Sequence, residues 1–131
     1  MTEVAELFPG QLFKTRVWVS EQATKEIERY VRRDREKGRR FLDKLERYAK
    51  NGFELYEGDK SPIRPEWNGI FRIGEHSSLF RLCGFYENDK KSDFVIVDAF
   101  LKRGQKLSRN DIDRINEVAR IKREDDWSRK Q

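Results

Sequence analysis

Four cations that follow an apolar run are the first candidates for chemistry. The run FVIVDAFL ends at residue 101, and no acidic residue occurs among residues 101–110. This segment contains Lys102, Arg103, Lys106 and Arg109. Clustered like charges repel one another, and an anionic ligand relieves that repulsion. Phosphate is a suitable ligand, because a guanidinium donates to its oxygens in bidentate fashion. A solvated turn without a ligand is the alternative interpretation.

Two arginines interrupt apolar runs earlier in the chain. Arg72 lies in IFRI and Arg81 lies in LFRL. Successive side chains of a strand point to opposite faces, so each arginine faces away from its immediate apolar neighbours. If helices cover one face of the sheet, both arginines lie on the open face. An arginine-rich solvated face with local ion pairs is the alternative that this pattern leaves open.

The loop before these strands adds a tryptophan and another arginine to the same surface. An indole ring can stack on an unpaired base while neighbouring cations bind the backbone phosphates. The pattern therefore predicts a concave basic surface for RNA. Its predicted binding residues are Arg64, Trp67, Arg103 and Arg109.

Seven elements in the order β-α-α-β-β-β-α are predicted to position these residues. Strands are predicted at residues 12–20, 68–74, 78–86 and 93–101, two helices within 21–50, and a last helix after Ser108. Asp111 completes a pattern that resembles a capping box with Ser108. The last three apolar runs are joined by short polar connectors, which indicate consecutive antiparallel strands. The predicted fold class is α+β, a small antiparallel sheet with the helices packed on one face.

The chain length predicts a single domain. At 131 residues the chain is long enough for one core but not for two. Charged residues make up 40% of the sequence, and the 12% of aromatic residues supply bulky core material, which argues against a disordered chain. We interpret residues 12–122 as the core, residues 1–11 as a lead-in and residues 123–131 as a frayed tail to which Trp127 could add a docking contact.

Several classes of protein are excluded by composition. One cysteine and one histidine cannot form an internal disulfide or the usual four-ligand zinc site, so no metal or other cofactor is expected. No stretch approaches the ~20 apolar residues of a membrane helix, and the first residues do not resemble a signal peptide. The sequence therefore predicts a cytoplasmic protein without a membrane partner.

Three segments together resemble a known family. They are NGIFRIG, SLFRLCGF and VIVDAFLKRGQKLSRNDI, and with the order of elements they are similar to the RelE/HigB branch of bacterial type II toxin-antitoxin toxins. The resemblance covers about residues 12–122. It implies a RelE-like fold, cleavage of mRNA on the ribosome, and neutralisation by a cognate antitoxin protein. A related branch of the superfamily inhibits DNA gyrase instead.

The resemblance also implies a site and a metal-independent reaction. A ribose 2′-hydroxyl would attack the adjacent phosphodiester and give a 2′,3′-cyclic phosphate. Arg72 and Arg81 are then expected to stabilise the charge of the transition state, since arginine stays protonated. A lysine among arginines can lose its proton near neutral pH, so Lys102 or Lys106 is expected to transfer the proton.

One departure from the family leaves a role unfilled. The family's C-terminal region sometimes supplies a tyrosine or histidine, and this chain has neither after residue 103. The general acid is therefore unassigned, and His76, in a predicted turn, is interpreted as incidental. This departure keeps a second interpretation open: a non-catalytic binding protein on the same fold, such as a gyrase inhibitor or a degenerate toxin that an antitoxin still binds.

Overall fold

A computed structural model describes residues 1–52, 63–65, 69–74, 78–104 and 106–130. The strands are β1 (Thr2–Glu6), β2 (Arg16–Ser20), β3 (Ile63–Pro65), β4 (Phe71–Gly74), β5 (Phe80–Tyr86), β6 (Asp93–Leu101) and β7 (Trp127–Arg129). The helices are α1 (Glu21–Arg33), α2 (Arg35–Asn51) and α3 (Arg109–Arg123). The predicted α+β class is confirmed, and each predicted element has a counterpart.

The strands form one mixed sheet in the order β3-β4-β5-β6-β2-β1-β7. The predicted antiparallel pairing of β4, β5 and β6 is confirmed. β2 joins this sheet beside β6 but runs parallel to it, and β1 and β7 are also parallel, so the prediction of an antiparallel sheet is corrected to a mixed one. The sheet is larger than predicted, because β1 and β7 extend it beyond β2 and β3 extends it beyond β4.

The first predicted strand is shorter in the structure than in the sequence pattern. It begins at Arg16 rather than at residue 12. Thr15 precedes it and is 1% exposed, and its hydroxyl donates to the carbonyl oxygen of Lys91 at 3.0 Å. The alternating pattern thus begins at Phe13, three residues before the strand. Thr15 is held by a side-chain hydrogen bond rather than by strand pairing.

Side-chain caps set the boundaries of α1 and α2. Ser20 caps α1 by accepting from the backbone N–H of Ala23 at 3.0 Å. Asp34 ends α1 and caps α2, where it accepts from the backbone N–H of Lys37 at 3.0 Å. A Cβ at Gly38 would lie 2.7 Å from the Cα of Val31, so glycine permits the close approach of the two helices. The boundary between the two helices therefore lies at Asp34.

The sheet buries both of its faces, which corrects the prediction that all helices pack on one side. Helices α1 and α2 cover one face around Val17, Leu82 and Ile96. Helix α3 covers the opposite face, where Ile115 and Val118 pack in a second core. Strands such as β6 carry apolar side chains toward both faces, and that composition requires a layer on each side.

The two ends of the chain lie in the sheet, in contrast to the lead-in and frayed tail expected from sequence. β1 pairs with β2 and with β7, so that Thr2 faces Trp127. The Trp127 ring packs edge-on against Phe85 with centroids 5.9 Å apart. Docking of Trp127 thus holds β7 at the edge of the sheet. Among the described residues, no helix combines the length and apolar character needed to cross a membrane.

Candidate functional site

A cleft opens where β6 runs past the end of β2. The two strands pair from Asp93 to Ile96 of β6, so the rest of β6 lies beside helices rather than beside β2. The cleft has a volume of about 920 Å³ and separates the second half of α1 from the first turns of α3. Its position is set by the parallel pairing of β2 and β6, which no local pattern in the sequence predicts.

Cations dominate the lining of this cleft. They come from α1, from the end of β6 and from α3: Arg29, Arg33, Lys102, Arg103, Arg109 and Arg114. Two acidic side chains, Glu26 and Asp111, also line it. Glu26 accepts from Arg29 at 3.0 Å, and Asp111 accepts from the backbone N–H of Ser108 in the capping box predicted from sequence. The cleft therefore carries a positive charge that its own carboxylates do not balance.

The structure brings three of the four predicted cations of the 101–110 segment into this cleft. Lys102 is 7% exposed, and its backbone N–H donates to the carbonyl oxygen of Leu79 at 2.9 Å, which extends the β5–β6 ladder by one bond. Arg103 is exposed, and Arg109 is exposed with Asp113 at 3.6 Å. Lys106 is exposed in the turn before α3 and is not among the described residues that line the cleft.

Arg72 and Arg81 lie together on the sheet but not on an open face. Arg72 faces Cys83 across β4 and β5, and Arg81 is two residues from Cys83 on the same side of β5. Cys83 belongs to the core under α3, so both arginines lie on the face that α3 partly covers. Both are half-buried. The expectation of an uncovered arginine face is therefore corrected, although the two arginines are neighbours as predicted.

The Arg81 guanidinium is turned toward the end of the sheet. Its Nη1 donates to the carbonyl oxygen of Ser78 at 2.6 Å and to that of Phe80 at 2.8 Å. Burial and the nearby Arg72 lower the pKa of Arg81. Arg81 is not itself among the residues that line the cleft, although its strand partner Phe100 is.

The structure describes only part of the predicted loop residues. The backbone of Arg64 belongs to β3 and pairs with Arg72, so the predicted loop 52–66 contains a short strand. Trp67 and His76 lie outside the described residues.

Sequence reasoning missed the α1 side of the cleft. Arg29 and Arg33 lie four residues apart on one face of α1, and no local pattern in the sequence distinguishes them from the other arginines of the two helices. Leu79 and Leu101, which are 38% and 36% exposed, add apolar surface between the two rows of cations. The helical i, i+4 spacing is a signal for a shared face, but only the fold reveals what faces it.

The Asp98–Arg114 pair fixes the wall of the cleft. Arg114 donates to Asp98 from Nε at 2.8 Å and from Nη2 at 2.7 Å, and Nη2 also donates to the carbonyl oxygen of Ala99 at 2.9 Å. The hydrogen bond to Asp98 raises the pKa of Arg114. This bidentate pair holds the second turn of α3 against the part of β6 that extends beyond its pairing with β2.

Comparison of the chain with family models, with curated proteins and with solved structures found no match.

Proposed function

We propose that the chain is the toxin of a type II toxin-antitoxin system. It acts in the cytoplasm as a metal-independent endoribonuclease on ribosome-bound mRNA, and a cognate antitoxin protein neutralises it. The observation that carries this proposal is the cleft, where Lys102, Arg103 and Arg109 meet Arg29 and Arg33 from a distant part of the chain. A surface that gathers cations from three elements fits a polyanion better than a solvated turn does.

The residues have separate roles in the proposed reaction. The 2′-oxygen bonds to phosphorus while its proton passes to the amine of Lys102 or Lys106, and the bond from phosphorus to the 5′-oxygen breaks. Arg81, with Arg72 beside it, stabilises the charge that develops on the non-bridging oxygens. The exposed arginines of the cleft hold the flanking phosphates. The departing 5′-oxygen takes up a proton from water, and the lysine later returns its proton to the solvent, so the products are a cyclic phosphate and a free 5′-hydroxyl.

A second candidate is a non-catalytic binding protein on this fold, such as a gyrase inhibitor or a degenerate toxin. Leu79 and Leu101 favour it, because exposed leucines between cations suit an acidic protein segment with apolar side chains. Lys102 also favours it, since a lysine that is 7% exposed offers little of its surface to a substrate.

Expression in a bacterial host separates the two candidates. Growth arrest together with new mRNA 5′ ends inside coding regions supports the ribonuclease, whereas growth arrest with intact mRNA supports the binding protein. The test variant is Arg103→Gln/Arg109→Gln, and the matched control is Arg32→Gln/Arg39→Gln, two exposed arginines outside the cleft lining. We expect the test variant alone to lose cleavage. Equal loss in both variants would contradict an assignment to the cleft.

A further inference from the structure

Ser78 connects helix α1 to the predicted catalytic arginine. Its hydroxyl oxygen lies 2.7 Å from the hydroxyl oxygen of Tyr30 and accepts from the backbone N–H of Phe80 at 3.0 Å. Its carbonyl oxygen accepts from Nη1 of Arg81 at 2.6 Å. Ser78 is 7% exposed, so water competes little with these bonds. A shift of Ser78 would therefore move the acceptor that holds Arg81.

Two aromatic rings hold Tyr30 in place. Its ring stacks on Phe80 with centroids 4.4 Å apart and an interplanar angle of 6°. Phe41 of α2 packs edge-on against the same ring with centroids 6.3 Å apart. Two rings from two elements thus fix the direction of the phenol. Tyr30 can transmit the position of α1 to Ser78, which precedes β5.

The side chain of Arg81 passes close over Gly74. A Cβ at Gly74, its partner on β4, would lie 2.5 Å from Cδ and 2.8 Å from Cζ of Arg81. The arginine side chain therefore crosses β4 over the glycine. Within the described part of the chain, both of its hydrogen bonds come from Nη1, and the edge formed by Nε and Nη2 remains for a pair of phosphate oxygens.

We propose that Tyr30 is a positioning residue for RNA cleavage, which sets the orientation of the Arg81 guanidinium through Ser78. The inference rests on the proposed ribonuclease function and adds α1 to the catalytic arrangement. Tyr30 does not take part in proton transfer in this proposal. Its hydroxyl holds Ser78, and Ser78 holds Nη1 of Arg81 so that the opposite edge faces the scissile phosphate.

Tyr30→Phe is the first test, since it keeps the ring stack and removes only the hydroxyl. With the purified chain, ribosomes and a defined mRNA, we expect kcat to fall about tenfold with KM unchanged, because loss of one positioning hydrogen bond leaves the guanidinium of Arg81 less well oriented. Ser78→Ala should cause the same loss. Tyr48→Phe, at another tyrosine of the same core, is the matched control for loss of a buried phenol. An equal loss of kcat in this control would overturn the proposal.

The double variant shows whether Tyr30 acts through Arg81. In an Arg81→Ala background, Tyr30→Phe should have no further effect on kcat, because the group that it positions is absent. A further tenfold loss in that background would overturn the proposal. Gly74→Ala should reproduce the loss of Tyr30→Phe, since the added methyl displaces the arginine side chain. Unchanged kcat in Gly74→Ala would contradict the path of Arg81 described above.

A readout without RNA keeps this inference separate from the proposed function. The side-chain Nη protons of Arg81 can be followed by NMR in the nitrogen-labelled chain. We expect them to exchange with water about tenfold faster in Tyr30→Phe than in the parent, and at the parent rate in Tyr48→Phe. If the parent cleaves no RNA, the proposed ribonuclease function fails. If the exchange rate is unchanged in Tyr30→Phe, the positioning role fails.

Discussion

Two groups of cations, one around β1 and β7 and one in the cleft, differ in how the fold pairs their charges. The first group, here called the paired edge, consists of Arg16, Arg120 and Arg129 near β1 and β7. Arg16 donates to Glu6 at 2.9 Å, and Arg129 pairs with Glu87. Hydrogen bonds to Glu117, Glu124 and Asp126 raise the pKa of Arg120. Each cation of the paired edge therefore has an internal anion.

Aromatic rings add to the paired edge. The guanidinium carbons of Arg16 and Arg129 lie 4.8 Å and 4.5 Å from the ring centroid of Trp18. Trp18 in turn donates from Nε1 to Asp93 at 2.9 Å. Arginine and tryptophan are the residue types that suit nucleic acid, but at this edge they contact one another and the acidic residues of the chain. Composition alone would assign a binding surface to this edge as readily as to the cleft.

The cleft lacks this compensation at its mouth. Arg33 and Arg103 are exposed, and neither makes an ion pair within the part of the chain that the structure describes. The comparison teaches that the number of arginines does not locate an anion site. What locates it is the number of arginines whose charge the fold leaves for a ligand.

The largest effect that would sharpen this comparison is expected for Arg81→Ala. Loss of one preorganised donor at a transition state should lower kcat for RNA cleavage about 10²- to 10³-fold. Because two backbone carbonyls lose their partner, the free energy of unfolding should also fall by about 1–3 kcal/mol. Chemical denaturation and single-turnover cleavage measure the two effects. Full activity in a destabilised variant would place Arg81 with the paired edge, as a structural cation.

The next largest effect is expected for Trp127→Ala at the paired edge. The half-buried indole packs on Phe85 and supports β7, so its removal should lower the free energy of unfolding by about 2 kcal/mol. RNA affinity should stay unchanged, because the edge lies outside the cleft. Thermal melts and fluorescence anisotropy with a single-stranded RNA check both statements. A loss of RNA affinity at equal stability would break the distinction between the two regions.

A charge-matched pair of double variants tests the comparison directly. Arg33→Gln/Arg103→Gln and Arg16→Gln/Arg129→Gln remove the same formal charge. In the cleft, two lost phosphate contacts should flatten the plot of log affinity against log salt by about 1.4 for single-stranded RNA. At the paired edge, the slope should stay the same while the free energy of unfolding falls by about 1 kcal/mol. Identical slopes in both variants would mean that only net charge matters.

The smallest effect is expected for Ser108→Ala, which changes no charge. Ser108 caps α3 by accepting from the backbone N–H of Asp111 at 3.1 Å, so its loss should lower the free energy of unfolding by about 1 kcal/mol. RNA affinity should fall by less than about threefold, since the cations of the cleft remain. A larger fall would show that the orientation of α3, rather than its charge, determines binding.

The sequence predicted those parts of the fold that depend on neighbours in the chain. The bounds of β6 and the capping box of α3 follow from an apolar run and from a three-residue spacing. β7 was missed because it is three residues long and has no alternation to detect. β1 was missed because residues 1–11 were interpreted as a lead-in. The sequence did contain an indication that a helix covers the second face of the sheet, since the unbroken run FVIV is typical of a strand buried on both faces.

The sequence predicted only the part of the candidate site that lies on neighbouring segments of the chain. Lys102, Arg103 and Arg109 meet because β6 leads into α3, and this is a local relation. Arg29 and Arg33 join them through the parallel pairing of β2 with β6, and their spacing on α1 does not show what lies opposite. The partners of Arg81 are backbone carbonyls, and a sequence does not show where a carbonyl points.

The pairing of β1 with β7 has a consequence for folding and local opening. This ladder pairs residues 2–4 with residues 127–129, so its formation closes a long loop of the chain. The entropy cost of such closure is high, and the ladder itself contributes only three residue pairs against it. We therefore expect the ladder to form late and to open first, with amides of β7 exchanging faster than those of β5 and β6. Because it lies at the far edge of the sheet, it can open while the cleft keeps its shape.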